Sequence, residues 1–78
     1  MKNVEKYNQV FIEVLDITAE KLEGLSYKEL KQWDSIGHMS LIAELEDAFD
    51  IEIETDDIID FSSYEKGKEI LAKYGVAF

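Results

Sequence analysis

Residues 34–53 read Asp-Ser-Ile-Gly-His-Met-Ser-Leu-Ile-Ala-Glu-Leu-Glu-Asp-Ala-Phe-Asp-Ile-Glu-Ile. Ile36, Met39, Ile42, Leu45 and Phe49 recur at steps of three and four, which predicts one apolar stripe of an amphipathic helix. Asp34 and Ser35 stand at its start, where a short polar side chain accepts a hydrogen bond from a free N–H of the first turn. Glu44, Asp47 and, less squarely, Glu46 fall off the stripe. From Asp50 to Glu54 acids alternate with isoleucines. A lone strand would have no partner there, so this segment reads as an extended connector.

Upstream, Val4, Tyr7, Val10, Phe11, Val14 and Leu15 repeat the helical spacing and predict a helix over residues 3 to 16. Residues 17 to 33 lack sustained periodicity and read as a long ordered loop with one helical turn at most. Loops of that length in a small domain are functional or pinned, and Leu25, Leu30 and Trp33 are the expected anchors. Downstream, Thr55 is placed to cap a short helix over 56–60, with Asp56 and Asp57 favourable in its first turn. Ser62 or Ser63 is placed to cap a last helix through Tyr74, whose apolar face is Ile70, Leu71 and Tyr74, and Gly75 suits its end. The expectation is an all-α fold, a small bundle of three main helices plus one short helix, forming a single domain over residues 1–78.

Composition narrows the function. The chain has 78 residues and 18 acids against 8 lysines, with no arginine, giving a formal net charge of −10. Its 46% hydrophobic and 12% aromatic content is enough for a modest core. With no cysteine, disulfides, zinc thiolates and thiol catalysis by the chain itself are excluded. No apolar run reaches the roughly 20 residues of a membrane span, and the first residues lack an apolar signal core, so a soluble cytoplasmic protein is expected; the expected oligomeric state is a monomer. The acidity argues against nucleic acid. Ten acids and no lysine lie between Asp34 and Asp60, so the whole excess of negative charge sits there. That segment reads either as a solvated face or as a docking surface for basic partners.

Ser35 is the candidate for chemistry. It either caps the helix or, exposed at a helix N-terminus, offers a hydroxyl where free N–H groups and the dipole favour an attached phosphate. A serine hydrolase built on Ser35 and His38 is rejected: Trp33 stands where the nucleophile elbow needs Gly, and no sheet supplies the elbow or an oxyanion hole. A calcium loop starting at Asp50 fails because Thr55 stands where Gly is required and Phe61 where Glu is required. Met39, Ile42 and Ile59 are read either as core or as the lining of a groove for cargo.

Asp34-Ser35-Ile36-Gly37-His38-Met39, continued by Leu41-Ile42-Ala43-Glu44-Leu45-Glu46-Asp47-Ala48-Phe49-Asp50-Ile51-Glu52-Ile53, resembles the Asp-Ser-Leu motif and second helix of acyl and peptidyl carrier proteins. Length, acidity and helix order fit, so the resemblance covers essentially the whole chain. Ile36 replaces the motif leucine, Trp33 a smaller apolar residue, Ser40 a frequent acid and Thr55 a frequent proline.

The resemblance implies an acyl-carrier-protein-like fold and a carrier, not an enzyme. It implies that Ser35 receives 4′-phosphopantetheine from coenzyme A through a Mg²⁺-dependent phosphopantetheinyl transferase, with Asp34 as the motif aspartate that the transferase grips. Cargo would then ride as a thioester on the arm's thiol, which makes sense of a chain with no cysteine. It implies docking of partner enzymes, such as a loading ligase and an acyltransferase or synthase, on Glu44, Glu46 and Asp47, with Asp56 and Asp57 beside them. Fatty-acid, polyketide, nonribosomal-peptide, saccharide-modification and D-alanylation pathways all use such carriers, and the motif does not choose among them. The alternative of a different class is an acidic adaptor that binds a basic helix without any cofactor.

Overall fold

The structure, a computed structural model, describes residues 2–78. Its elements are helix α1 (Asn3–Leu15), a 3₁₀ turn (Ala19–Lys21), α2 (Ser35–Phe49), α3 (Thr55–Asp60) and α4 (Tyr64–Ala72). The three long helices and the short one expected from the sequence are present. Residues 51–54 form an unpaired connector.

Apolar spacing explains α1 and α4. Tyr7, Val10, Phe11 and Leu15 of α1 are buried, as are Tyr64, Ile70 and Leu71 of α4. Phe11 is the hub of the core, with ring centroids 4.9 Å from Tyr7, 5.4 Å from Tyr64, 5.6 Å from Trp33 and 6.1 Å from Phe61. Gly67 lets α4 come close: a Cβ there would stand 2.2 Å from the Tyr7 hydroxyl and 2.3 Å from the Phe61 ring. The Tyr7 hydroxyl donates to the Tyr64 carbonyl at 2.6 Å, and burial pushes its pKa upward, so it stays protonated.

The stripe on α2 differs from expectation. Ile36 is 79% exposed and Met39 55% exposed, whereas Leu41, Ile42 and Leu45 are buried. The core-facing row runs through His38, Leu41, Ile42 and Leu45, at helical spacing. Ile42, Leu45 and half-buried Phe49 of the predicted stripe do face the core, whereas in the first turns of α2 His38 takes the inward position and Ile36 and Met39 stand outside. Other differences are smaller. Thr55 is the first residue of α3 rather than its cap; Glu54 takes the cap position without a side-chain bond. Ser63, not Ser62, caps α4, its hydroxyl accepting from the Lys66 N–H at 2.9 Å. Helix α4 ends at Ala72, not Tyr74, and Gly75 follows with φ +89°, returning the Val76 N–H to the Leu71 carbonyl.

Both α1 and α2 end on an aspartate in the left-handed conformation, Asp16 at φ 53° and Asp50 at φ 54°, a region that short polar side chains tolerate. The long loop is pinned at Leu22, Leu25 and Trp33, all buried, while Leu30 is only half-buried. It is also stitched to the α3–α4 connection: Tyr27 N–H donates to the Ser62 carbonyl at 2.8 Å, and Tyr64 N–H to the Leu25 carbonyl at 2.9 Å. No helix among the described residues is long and apolar enough to cross a membrane.

Candidate functional site

Helix α2 starts where the loop ends, and the division of labour there is clear. Asp34 is extended, and its Oδ1 accepts from the Gly37 N–H at 2.9 Å. Capping is therefore done by Asp34. Ser35, the first helical residue, is exposed and carries its hydroxyl at the positive end of a 15-residue helix. The turn that presents it is tight: a Cβ on Gly37 would stand 1.9 Å from the Gln32 carbonyl oxygen. Gln32 is fixed in turn, since its side-chain Nε2–H donates to the Leu15 carbonyl at 2.9 Å.

His38 lies beneath Ser35 as a brace. Trp33 Nε1–H donates to His38 Nδ1 at 2.9 Å, and His38 Nε2 lies 2.8 Å from the Ile58 carbonyl. Indole nitrogen is only a donor, so the network assigns the neutral Nε2–H tautomer, with Nε2–H donating to Ile58. One ring thus joins the loop, α2 and α3. It also packs on Trp33 (centroids 6.2 Å apart, nearly parallel) and edge-on against Phe61 (5.9 Å) and Tyr27 (5.3 Å). Both ring nitrogens are engaged away from Ser35, which leaves the imidazole no lone pair for activating that hydroxyl.

An apolar groove of about 310 Å³ opens beside Ser35. Ser35, His38 and Met39 form one wall, Ile58, Ile59 and Phe61 the other, with Tyr27 and Ser62 at the end. Met39 and Ile59 of the expected groove are therefore in it. Ile42 is not: it is 2% exposed and belongs to the core. Sequence reasoning missed Tyr27, Ile58, Phe61 and the role of His38. The available signal was Trp33 and His38 about a helix start, the one indole and the one imidazole of the chain five residues apart.

The acids expected to form a docking face are not equivalent. Glu44, Asp47 and Asp56 are exposed. Glu46 is half-buried, and its Oε2 accepts from the Ile53 N–H at 2.9 Å, tying down the connector. Asp57 is buried at 7% exposure. Lys73 Nζ lies 2.6 Å from its Oδ1, and the Tyr74 hydroxyl donates to Oδ2 at 2.5 Å. Asp57 thus fastens α3 to the end of α4 instead of facing outward as expected.

The bonds from Lys73 and then Tyr74 hold the Asp57 carboxyl below the usual carboxylate range, against the opposing effect of burial. A carboxyl lowered on folding contributes stability above its unfolded pKa of about 3.9 and loses it as pH falls through the folded value. Asp57→Asn should therefore melt below the wild type at pH 7, with the gap closing as pH falls from about 5 to about 3. Thermal melts across that range measure the gap. A gap that stays constant would show that the ionised form is not what matters.

A family model described as "Phosphopantetheine attachment site" matches residues 9–66, a span that runs from α1 through Ser35 into α4. No curated protein and no solved structure matched the chain.

Proposed function

The chain belongs to the phosphopantetheine attachment family, whose prosthetic group is held covalently, and from that premise we propose that Ser35 is the attachment residue of an acyl or aminoacyl carrier. The observation that carries the reading is the exposed Ser35 hydroxyl at the start of α2, relieved of capping by Asp34. The site suits the group. The phosphate would lie at a helix N-terminus, and the branched, apolar carbon next to it would find the groove walls of Met39 and Ile59. When bound, the group supplies a flexible arm whose thiol holds cargo as a thioester.

Attachment joins Ser35 Oγ to the phosphorus of the pantetheine phosphate of coenzyme A. The pyrophosphate P–O bond breaks, adenosine 3′,5′-bisphosphate leaves, and the hydroxyl proton passes to a base of the transferase. The chain's own part is to hold the alcohol out, to keep Asp34 beside it, and to leave no competing thiol of its own. Its role afterwards is tethering: cargo on a short arm reaches each docked enzyme at high effective concentration. The chain performs no catalysis in this reading and works in the cytoplasm.

Incubation with coenzyme A, Mg²⁺ and a broad-specificity phosphopantetheinyl transferase should add one cofactor mass, read by intact mass spectrometry. Ser35→Ala should take up none. A wild type that gains nothing, or a variant that still gains, would refute the assignment; the first result would leave the acidic adaptor.

Partners dock, in this reading, on the exposed acids: the transferase first, then a loading ligase and an acyltransferase or synthase. Glu44, Asp47 and Asp56 are free for this, whereas Glu46 and Asp57 serve the fold. Charge on an exposed rim acts mainly on association rate and is screened by salt. Glu44→Lys with Asp47→Lys should slow the modification several-fold at about 0.01 M salt and much less at about 0.15 M. Equal rates at low salt would remove charge steering.

A further inference from the structure

We propose that this carrier leaves its cargo in water: the groove beside Ser35 receives only the branched apolar part of the arm, and the cargo is a short or polar acyl or aminoacyl group rather than a long alkyl chain. The proposal rests on the attachment of the arm at Ser35 and adds the class of cargo.

The groove is bounded below. Trp33 is wholly buried, Phe61 is 1% exposed, and behind them the Phe11 ring packs edge-on against Trp33. A path from the groove into the bundle would run between α2 and α3, and His38 crosses that seam. Its two nitrogens are bonded to Trp33 on one side and to the Ile58 carbonyl on the other. To pass, an alkyl chain must push the imidazole aside. Both hydrogen bonds would break, and the indole N–H of a fully buried tryptophan would lose its partner, which is unfavourable in an apolar interior. Ile42, the residue a deeper pocket would expose, is packed shut.

The groove, of about 310 Å³, is a trough open along one side and not an enclosed cavity, so a chain lying in it stays in contact with water. Its wall begins at the attachment residue, so the part of the arm nearest the phosphate reaches it first. A second cavity offers no shelter to an alkyl chain: it shares no residue with the groove, and Glu23, Glu65 and Lys68 are among its walls. A long chain on this carrier would lie along exposed Ile36 and the open groove edge at Ile59, or in solvent, and keep much of its surface in water.

The test loads the wild-type protein from acetyl-, butyryl- and octanoyl-coenzyme A with the broad-specificity transferase and confirms each product by mass. Readouts are the melting temperature, the Trp33 indole N–H resonance, and the methyl resonances of Ile42, Met39 and Ile59. Met39 and Ile59 should shift on gaining the unacylated arm. Trp33 and Ile42 should coincide in all three acylated forms, and melting temperatures should agree within about 2 °C. A chain drawn inside would remove four more methylenes from water in the octanoyl form than in the butyryl form. That should raise the melting temperature by roughly 10 °C or more in a domain of this size. Such a rise, a displaced Trp33 signal, or unmoved Met39 and Ile59 on arm attachment would overturn the proposal while leaving Ser35 attachment intact. Absence of any mass gain would remove both.

Discussion

Trp33→Ala is expected to lower the melting temperature by roughly 15–30 °C and to leave much of the protein unfolded near body temperature. Trp33 is the largest fully buried side chain. Truncating a buried tryptophan costs roughly 3–5 kcal/mol through lost burial and the cavity left behind. A chain of this length has only about 4–12 kcal/mol of stability in total. The loss is also concentrated: the indole contacts Phe11 from the core side and Tyr27 from the loop side, and its N–H supplies the bond that fixes His38. Trp33→Phe keeps much of the volume and removes the N–H, so it should fall between the two, by about 1–3 kcal/mol. Thermal melts by circular dichroism distinguish the three proteins. A drop below about 5 °C for Trp33→Ala would show that the loop holds without its anchor.

The second large effect is expected at Gly37. By helix propensity alone, alanine there should stabilise α2 by about 1 kcal/mol. The added Cβ would stand 1.9 Å from a backbone oxygen, that of Gln32, and a carbonyl cannot swing aside as a side-chain tip does. Gln32 is held by its bond to Leu15, so the strain spreads into the loop or into the first turn of α2. Overpacking of this kind typically costs about 1–3 kcal/mol and at times more. Gly37→Ala should therefore melt roughly 5–15 °C below the wild type. It should also take up the prosthetic group more slowly, because the turn that carries Ser35 is displaced. A variant more stable than the wild type would mean that propensity prevails over the close approach.

The helices were legible because burial of one face imposes a period, and α1 and α4 obey it. Helix α2 obeys it from Ile42 through Leu45 to Phe49 but not in its first turns, where Ile36 and Met39 face outward. Hydropathy ranks Ile36 and Met39 above His38, whereas the structure buries the imidazole against a tryptophan that matches its hydrogen bonds. Such pairing depends on geometry across a loop, which no count of apolar residues contains. The same holds for the carboxylates. Glu46 and Asp57 look like their neighbours in sequence, and only the positions of the Ile53 N–H, Lys73 and Tyr74 show that they are internal fasteners. The opening of α2 at Asp34-Ser35 was legible to the residue, since short polar side chains before an apolar period are what a helix start requires. Which of the two would cap was left open, and the structure gives that task to Asp34.

The close approach of Gly37 to the Gln32 carbonyl sets Ser35, the proposed attachment residue, by main chain against main chain, with the Gln32 amide and the Asp34 carboxylate locking the turn. Recognition and anchorage are in this way uncoupled. Ile36 and the outer carboxylates are open to exchange, one after another, while Ser35, the proposed point of tethering, keeps its coordinates. In the proposed carrier role, a scaffold so divided is retargeted from one set of client enzymes to another by redecorating its rim alone.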